Sequence, residues 1–366
     1  MQTSTSTPLL ELRATSKRFV RKADAAARLA RLLGAPPAAQ TVHAVDRVSL
    51  AVKSGEVVGL VGESGCGKST LGRMAAGLHG LSEGERWWEG ENTAALEQRL
   101  PRADYRRHML GIQMVFQDPY ASLNPRLRVQ HIVGEAPLAH GLVDAGGQEE
   151  LVAGLLRRVG LDPQLMRRYP HQFSGGQRAR IGIARALAVR PRMLICDEAV
   201  AALDVSIQAQ VINLFMQLRE ELRLTYLFIS HDLGVVRHIS DRVLVMYLGR
   251  VVESAPAEAL FEAPLHPYTQ GLLAEAPKLE VRRKRFVAIR GEIPSPINPP
   301  RGCHFHPRCP QALPRCAEEA PVLAPVGVDR WVACHRIDTQ ATDGVVSYKD
   351  DSGGVKNLQG AALGLC

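Results

Sequence analysis

Nine residues, Gly62-Glu-Ser-Gly-Cys-Gly-Lys-Ser-Thr70, match the phosphate-binding pattern G-x-x-x-x-G-K-[ST]. Gly62, Gly65 and Gly67 let the backbone curl so that successive N–H groups face one anion. Ser64, Cys66 and Thr70 complete the cradle. A helix starting after Gly67 adds its positive end. Lys68 supplies an ammonium for β- and γ-phosphates, and Ser69 a hydroxyl for Mg²⁺. The bland alternative is a Gly-rich turn, and the flanking strand and helix patterns argue against it. A second constellation is Met193-Leu-Ile-Cys-Asp-Glu198. Its apolar stretch delivers Asp197 to a strand end, where it can hold the Mg²⁺ shell. Glu198 follows, placed to polarise a water for in-line attack on a γ-phosphate. Alone, an Asp-Glu pair after a strand is only a strand end. Joined to the phosphate loop, it reads as a nucleotide hydrolysis site.

These residues need a scaffold. Val57–Val61 and Met193–Cys196 are continuous apolar runs, the pattern of parallel strands buried on both faces. Further strands are expected at Leu9–Arg13, within 84–91, at Thr225–Ile229 and at Val243–Met246. Helices are expected at 71–79, 148–160, 178–190 and Val205–Leu222, with a short one inside 21–42. Strands alternating with helices place the chain in the α/β class with a largely parallel sheet. After about residue 255, Pro becomes frequent and strands scarce. A boundary is expected near residue 260. Residues 339–366 are Gly-rich and polar, the composition of a disordered tail.

The 366 residues accommodate one large domain with an appendage, or two domains. With 46% hydrophobic and 22% charged residues, whole-chain disorder and collagen-like polymers are excluded. The net charge of +8 is compatible with nucleic acid, an anionic membrane surface or anionic small substrates, and does not choose among them. No apolar run approaches the roughly 18 residues of a membrane span. The start has no basic stretch followed by an apolar one, so a cytosolic chain with peripheral membrane contact is expected. Seven cysteines, an odd number, argue against a disulfide framework. Four of them crowd together at Cys303, Cys309, Cys316 and Cys334.

Phe173-Ser-Gly-Gly-Gln177, Val115-Phe-Gln-Asp-Pro119 and Ile229-Ser-His-Asp232, with the two constellations above, make the chain resemble ATPase subunits of ABC transporters over about residues 8–260. The resemblance implies a P-loop NTPase fold with a helical signature subdomain at about 105–180. It also implies a head-to-tail dimer with each ATP between one subunit's phosphate loop and the other's signature. Ser174, Gly175, Gly176 and Gln177 match that signature. Gln117 matches the loop glutamine that touches Mg²⁺ and the attacking water. His231 matches the switch histidine on the γ-phosphate, and Asp204 the loop crossing the interface. Phe19 is the candidate aromatic for stacking on adenine; its alternative is an ordinary core residue. Ala199 and Ala201 depart from the Pro and Ser often found in the family. Catalytic Glu198 and His231 are both present, so a hydrolysis-competent site is expected.

Gln117–Arg126, His266-Pro-Tyr-Thr-Gln-Gly-Leu-Leu273, Gly291–Pro296 and Pro299–Pro310 are similar to the dipeptide/oligopeptide (and nickel) importer ATPases. This implies a C-terminal extension over 261–338 and import driven from the cytoplasmic face of the inner membrane. The implied partners are two transmembrane permease subunits, an extracytoplasmic peptide-binding protein and a second ATPase subunit. A heterodimer is expected, with a homodimer as the alternative. The spacing Cys303-x₅-Cys309-x₆-Cys316-x₁₇-Cys334 is looser than common zinc pairs. The resemblance implies a [4Fe–4S] cluster there. The alternatives are zinc, reduced buried thiols, or adventitious metal binding by His304, His306 and His335. A different class, a soluble ABC protein acting on DNA or ribosomes, fits the charge. It does not fit one copy of each motif, the absence of a heptad run and a permease-type glutamine loop, so no nucleic-acid partner is expected.

Overall fold

The computed structural model describes residues 7–20, 40–118, 120–275, 289, 291–338, 347–349 and 355–357. The helix expected within 21–42 falls almost wholly outside these residues, as does most of the 339–366 tail.

Four strands form an outer antiparallel sheet in the order β2-β1-β4-β5: β1 (Leu10–Val20), β2 (Thr41–Val52), β4 (Glu83–Trp88) and β5 (Glu91–Asn92). The central sheet has eight strands, ordered β11-β12-β10-β9-β3-β8-β7-β6. Its parallel heart comprises β3 (Val57–Val61), β6 (Ile112–Val115), β7 (Met193–Asp197), β8 (Thr225–Ile229) and β9 (Arg242–Tyr247). Every residue of β3, β7 and β8 is buried, as their apolar runs require, with Asp197 and Thr225 buried at two strand ends. Alternate side chains serve opposite faces. On β8, Tyr226 and Phe228 join the cluster containing Val129, Leu156 and Phe215 on the helical side. Leu227 and Ile229 join Leu71, Met74 and Trp88 beneath the outer sheet.

The helices Val129–Ala139, Gln148–Arg158 and Gly175–Leu187 form the helical unit. It begins later than the expected residue 105, because β6 is a core strand paired with β7. The region after the change of character near residue 255 joins the same central sheet. β10 (Arg250–Pro256), β11 (Ala324–Gly327) and β12 (Arg330–Val332) extend the central sheet antiparallel, so the C-terminal region completes the core. Ser347–Lys349 pairs with Ile337–Asp338 on one side and with Val355–Asn357 on the other in a small sheet, where the sequence is read as a disordered tail. The reason is local: Ile337 is only 5% exposed, so an anchored strand offers its backbone edge to the next stretch of chain.

The junction is polar and buried. Glu253, 1% exposed, accepts the N–H of Leu265 at 2.8 Å and of His266 at 2.9 Å. His266 Nδ1 accepts the N–H of Tyr268 at 3.0 Å, and burial drives the imidazole down to about 3. Below its ordinary value of about 6.5, the unfolded chain binds a proton that the folded chain refuses, so stability is lost as pH falls from there towards 3. We expect the stability advantage of the native chain over His266→Asn to shrink by about 2 kcal/mol between pH 7 and pH 5. Urea unfolding at both pH values measures it; a constant difference would contradict a buried neutral His266.

Candidate nucleotide site

The phosphate loop starts where β3 ends. Gly62 has φ 149°, and a Cβ there would stand 2.1 Å from the Met246 carbonyl oxygen. Gly67 has φ 106°, with the Ala44 carbonyl oxygen equally close. Only glycine tolerates both conformation and crowding at these two positions. The helix Lys68–Ala75 follows at once, directing its N-terminal end at the loop. Lys68 is 5% exposed, and its Nζ donates to the carbonyls of Gly62 at 2.7 Å and Glu63 at 3.0 Å. Its ammonium therefore lies inside the loop. Burial raises the Cys66 thiol, which keeps this member of the cradle neutral.

The second half comes from β7 and two neighbouring loops. Ser69 Oγ donates to Asp197 Oδ1 at 2.7 Å. Asp197 is 1% exposed, and burial raises its carboxyl while the Ser69 hydrogen bond opposes that rise. Glu198 adopts φ 48°, a left-handed conformation that is uncommon for a residue with a Cβ. Such strain concentrates at functional sites. Its N–H donates to the Ile229 carbonyl at 2.9 Å. Glu198 Oε2 accepts Gln117 Nε2 at 2.7 Å and faces His231 Nδ1 at 3.4 Å. Two residues from separate segments, Gln117 and His231, thus meet on the Glu198 carboxylate. A carboxylate held this way can orient a water and take its proton.

Phe19, Lys68, Ser69, Thr70, Gln117 and Glu198 line one cleft of about 440 Å³, together with Ser64, Gly65 and Gly67 of the loop. Phe19 is 39% exposed, so it is not an ordinary core residue. Its ring meets His79 edge-on at 5.6 Å, with Lys17 Nζ 5.2 Å from its centre. Ser174 caps the helix Gly175–Leu187. Its hydroxyl accepts the Gln177 N–H at 3.3 Å, and Gln177 Oε1 accepts the Ser174 N–H at 3.1 Å. A Cβ on Gly176 would come within 2.4 Å of Ile207 Cγ2. Asp204 precedes the helix Val205–Leu222 as its N-cap residue. None of Ser174, Gly175, Gly176, Gln177 and Asp204 lines the cleft of this chain. The motif patterns also miss contributors: Val42, Ala44 and Pro296 line the cleft, the last from the C-terminal region. They have no chemical signature in the sequence, because only folding brings them there.

The cysteine reading needs correction. Cys303 and Cys309 pack against the cluster of Tyr247, Tyr268 and Phe305, and Cys334 against Val326, Val332 and Ile337. Burial is the main cause that raises Cys303, takes Cys309 up to about 11 and takes Cys334 up to about 12; neighbouring thiols add to it. Among the described residues, no group of three or more His, Cys, Asp or Glu is arranged to hold a metal. The cluster is therefore unsupported. The adjacent imidazoles are also engaged: His304 with the Leu248 carbonyl, His306 with that of Cys303 and His335 with that of Glu319, each at 2.9 Å.

Comparison with known proteins places this geometry. The ABC transporter family model matches residues 45–201, and the model of the oligopeptide/dipeptide transporter C-terminal region matches residues 252–316. The chain is 53% identical to the oligopeptide transport ATP-binding protein AppF of Bacillus subtilis over 298 residues, covering 80% of this chain and 89% of the relative. It is 49% identical to OppF of Salmonella typhimurium, covering 83% and 90%. It is 47% identical to the dipeptide transport ATP-binding protein DppF of Haemophilus influenzae, covering 82% and 90%. Among solved structures, the ATP-binding cassette MJ0796, a dimer in a post-hydrolysis state bound to ADP and Pi, aligns with a TM-score of 0.57 at 25% identity. That alignment covers 68% of this chain and 98% of the other. With about half of its residues shared across nearly the full length of such relatives, this chain belongs to the ATP-binding proteins of oligopeptide and dipeptide ABC transporters.

Proposed function

We propose that this chain hydrolyses ATP to drive import of di- and oligopeptides through a membrane complex. The observation that carries the reading is the meeting of Gln117, Glu198 and His231 beside the Lys68–Ser69–Asp197 group. The relatives named for oligopeptide and dipeptide transport support the substrate class.

In this reading Lys68 exchanges its two carbonyl partners for β- and γ-phosphate oxygens. Loop N–H groups from Ser64 to Thr70 hold the remaining phosphate oxygens. Ser69 and Asp197 offer hard oxygen ligands that fit Mg²⁺; they would hold the ion, with Gln117 beside it, and it supplies charge neutralisation on the phosphates. Glu198 orients a water in line with the γ-phosphorus and accepts its proton as the new P–O bond forms. The bond to the β-bridging oxygen breaks and ADP leaves. His231 adds a donor to the γ-phosphate, and Gln117 restrains Glu198 and the water.

Ser174, Gly175, Gly176, Gln177 and Asp204 complete the site of a second ATPase subunit across a dimer interface; their position outside this chain's own cleft supports that role. A heterodimer is the favoured assembly. ATP bound between subunits favours the closed dimer, and hydrolysis removes that differential affinity. Two permeases sense the change through the Gln117 loop, and an extracytoplasmic binding protein delivers the peptide. Among the described residues, no helix is long and apolar enough to cross a membrane. The chain acts peripherally at the cytoplasmic face of the inner membrane. The test is uptake of a labelled peptide into vesicles carrying the permeases, both ATPases and the binding protein. Undiminished ATP-driven uptake without this chain contradicts the proposal.

Phe19 is the proposed adenine platform. Stacking of this kind is worth about 0.5–1.5 kcal/mol, so Phe19→Ala should weaken ATP binding roughly 2- to 10-fold. Phe19→Trp should retain it. Displacement of a fluorescent nucleotide measures both, and equal affinities for all three chains would remove Phe19 from the site.

A further inference from the structure

Glu63, the first variable residue of the phosphate loop, is held at all three of its polar groups. Its N–H donates to the Tyr268 hydroxyl at 2.8 Å. Its carbonyl accepts Lys68 Nζ at 3.0 Å. Its carboxylate receives a two-pronged guanidinium, Arg308 Nη1 to Oε2 at 2.7 Å and Nη2 to Oε1 at 3.0 Å. Two of these holders, Tyr268 and Arg308, belong to the C-terminal region, far along the chain from the loop.

The guanidinium has a prepared seat. The Arg308 side chain is 5% exposed, and Nη1 also reaches the Tyr247 hydroxyl at 3.4 Å. Tyr247, Tyr268 and Phe305 pack together with ring centres 4.7, 5.2 and 5.4 Å apart. The chain leading into Arg308 is tied to the core at three points. His304 Nδ1 meets the Leu248 carbonyl at 2.9 Å, Arg250 donates to the Gly302 carbonyl at 3.4 Å, and the Pro296 carbonyl accepts the His43 N–H at 2.9 Å. A buried guanidinium is costly unless it is paired. Here its pair is a carboxylate on the loop that must receive a polyanion. Left without a counter-charge, Glu63 would repel the phosphates and compete for Lys68.

We propose that Arg308 is a positioning residue for ATP binding: by pairing with Glu63 it neutralises the phosphate loop's own carboxylate and holds the loop in its receiving shape. The C-terminal region is thereby part of the nucleotide site without touching the phosphates. The inference rests on residues 62–70 being the ATP site.

The test uses the full chain and ATP itself. Arg308→Gln should raise the Kd for ATP about tenfold, since a two-pronged charged contact is lost. Arg308→Lys, which keeps the charge but loses the fork, should show roughly a threefold rise. The double variant Arg308→Gln/Glu63→Gln should bind better than Arg308→Gln alone, because the orphaned carboxylate is gone. In the assembled transporter, the loss should fall on the KM for ATP more than on kcat, a split that a purely structural staple would not produce. Native-like Kd values in folded Arg308→Gln or Arg308→Lys, or a double variant showing the summed losses, would overturn the proposal. Should Arg308→Gln fail to fold, the lysine variant decides by the same criterion. Lys68→Ala separates the two readings. If it binds ATP as the native chain does, the nucleotide site is misassigned; if it loses ATP while Arg308→Gln does not, only the positioning role falls.

Discussion

Glu198→Gln is expected to lower ATP turnover roughly 10²–10⁴-fold while leaving ATP bound, the range for removal of a general base. The substitution preserves shape. Gln117 Nε2, now 2.7 Å from Glu198 Oε2, can also donate to an amide oxygen, so the local hydrogen bond survives, weakened by loss of the charge. What disappears is the group able to accept the water's proton and the negative charge facing His231 at 3.4 Å. Neither change touches Lys68 or the loop N–H groups. Bound ATP should therefore persist and hold the dimer closed. Phosphate release and nucleotide retention on the assembled transporter measure both halves. Turnover within twofold of native would remove Glu198 from the chemical step.

Lys68→Ala is expected to act on binding instead. Hydrogen bonds to a charged group contribute about 1.5–3 kcal/mol each. Losing two to phosphate oxygens raises the Kd for ATP roughly 10²- to 10⁴-fold. Peptide uptake should vanish with it. The fold should survive, because the hydrogen bonds of Lys68 Nζ go to two carbonyls of the loop itself and to no distant element. Equilibrium binding and a melting curve recorded on the same sample separate the two effects. Retained affinity in a folded Lys68→Ala chain would falsify the phosphate-loop assignment.

The contrast between these residues and Arg308 shows what is legible along the chain. Lys68, Ser69, Asp197 and Glu198 lie in short strings whose chemistry is local: glycines, an ammonium and a hydroxyl in one loop, carboxylates at one strand end. Such strings are readable because the geometry they need spans only a few residues. Gln117, His231 and the signature residues Ser174–Gln177 carry no such local chemistry. Their roles rest on the ordered set of motifs, and the structure adds the contact of Gln117 and His231 with Glu198. The strings around His266 and Arg308 stand out in the sequence, but their link to the phosphate loop does not. Arg308 and Glu63 are partners only because the central sheet brings residues far apart in the chain to one corner.

The cysteines illustrate the opposite error. Their crowding between 303 and 334 suggests a ligand set, yet spacing reports neither the direction of a side chain nor its surroundings. The structure packs Cys303, Cys309 and Cys334 against aromatic and aliphatic neighbours, and burial raises each of these three thiols.

The sequence alone determined the α/β class, the buried parallel strands and the phosphate-binding loop, because each depends on residue periodicity or on contacts within a few residues. Tertiary structure alone decided that the C-terminal region completes the central sheet, that Pro296 walls the candidate nucleotide cleft, that Arg308 grips the loop and that no three of the crowded cysteines and their described His, Asp and Glu neighbours are arranged to hold a metal. Those outcomes rest on long-range pairing and desolvation. Both depend on which distant segments share a surface, and that is settled only when the chain closes on itself.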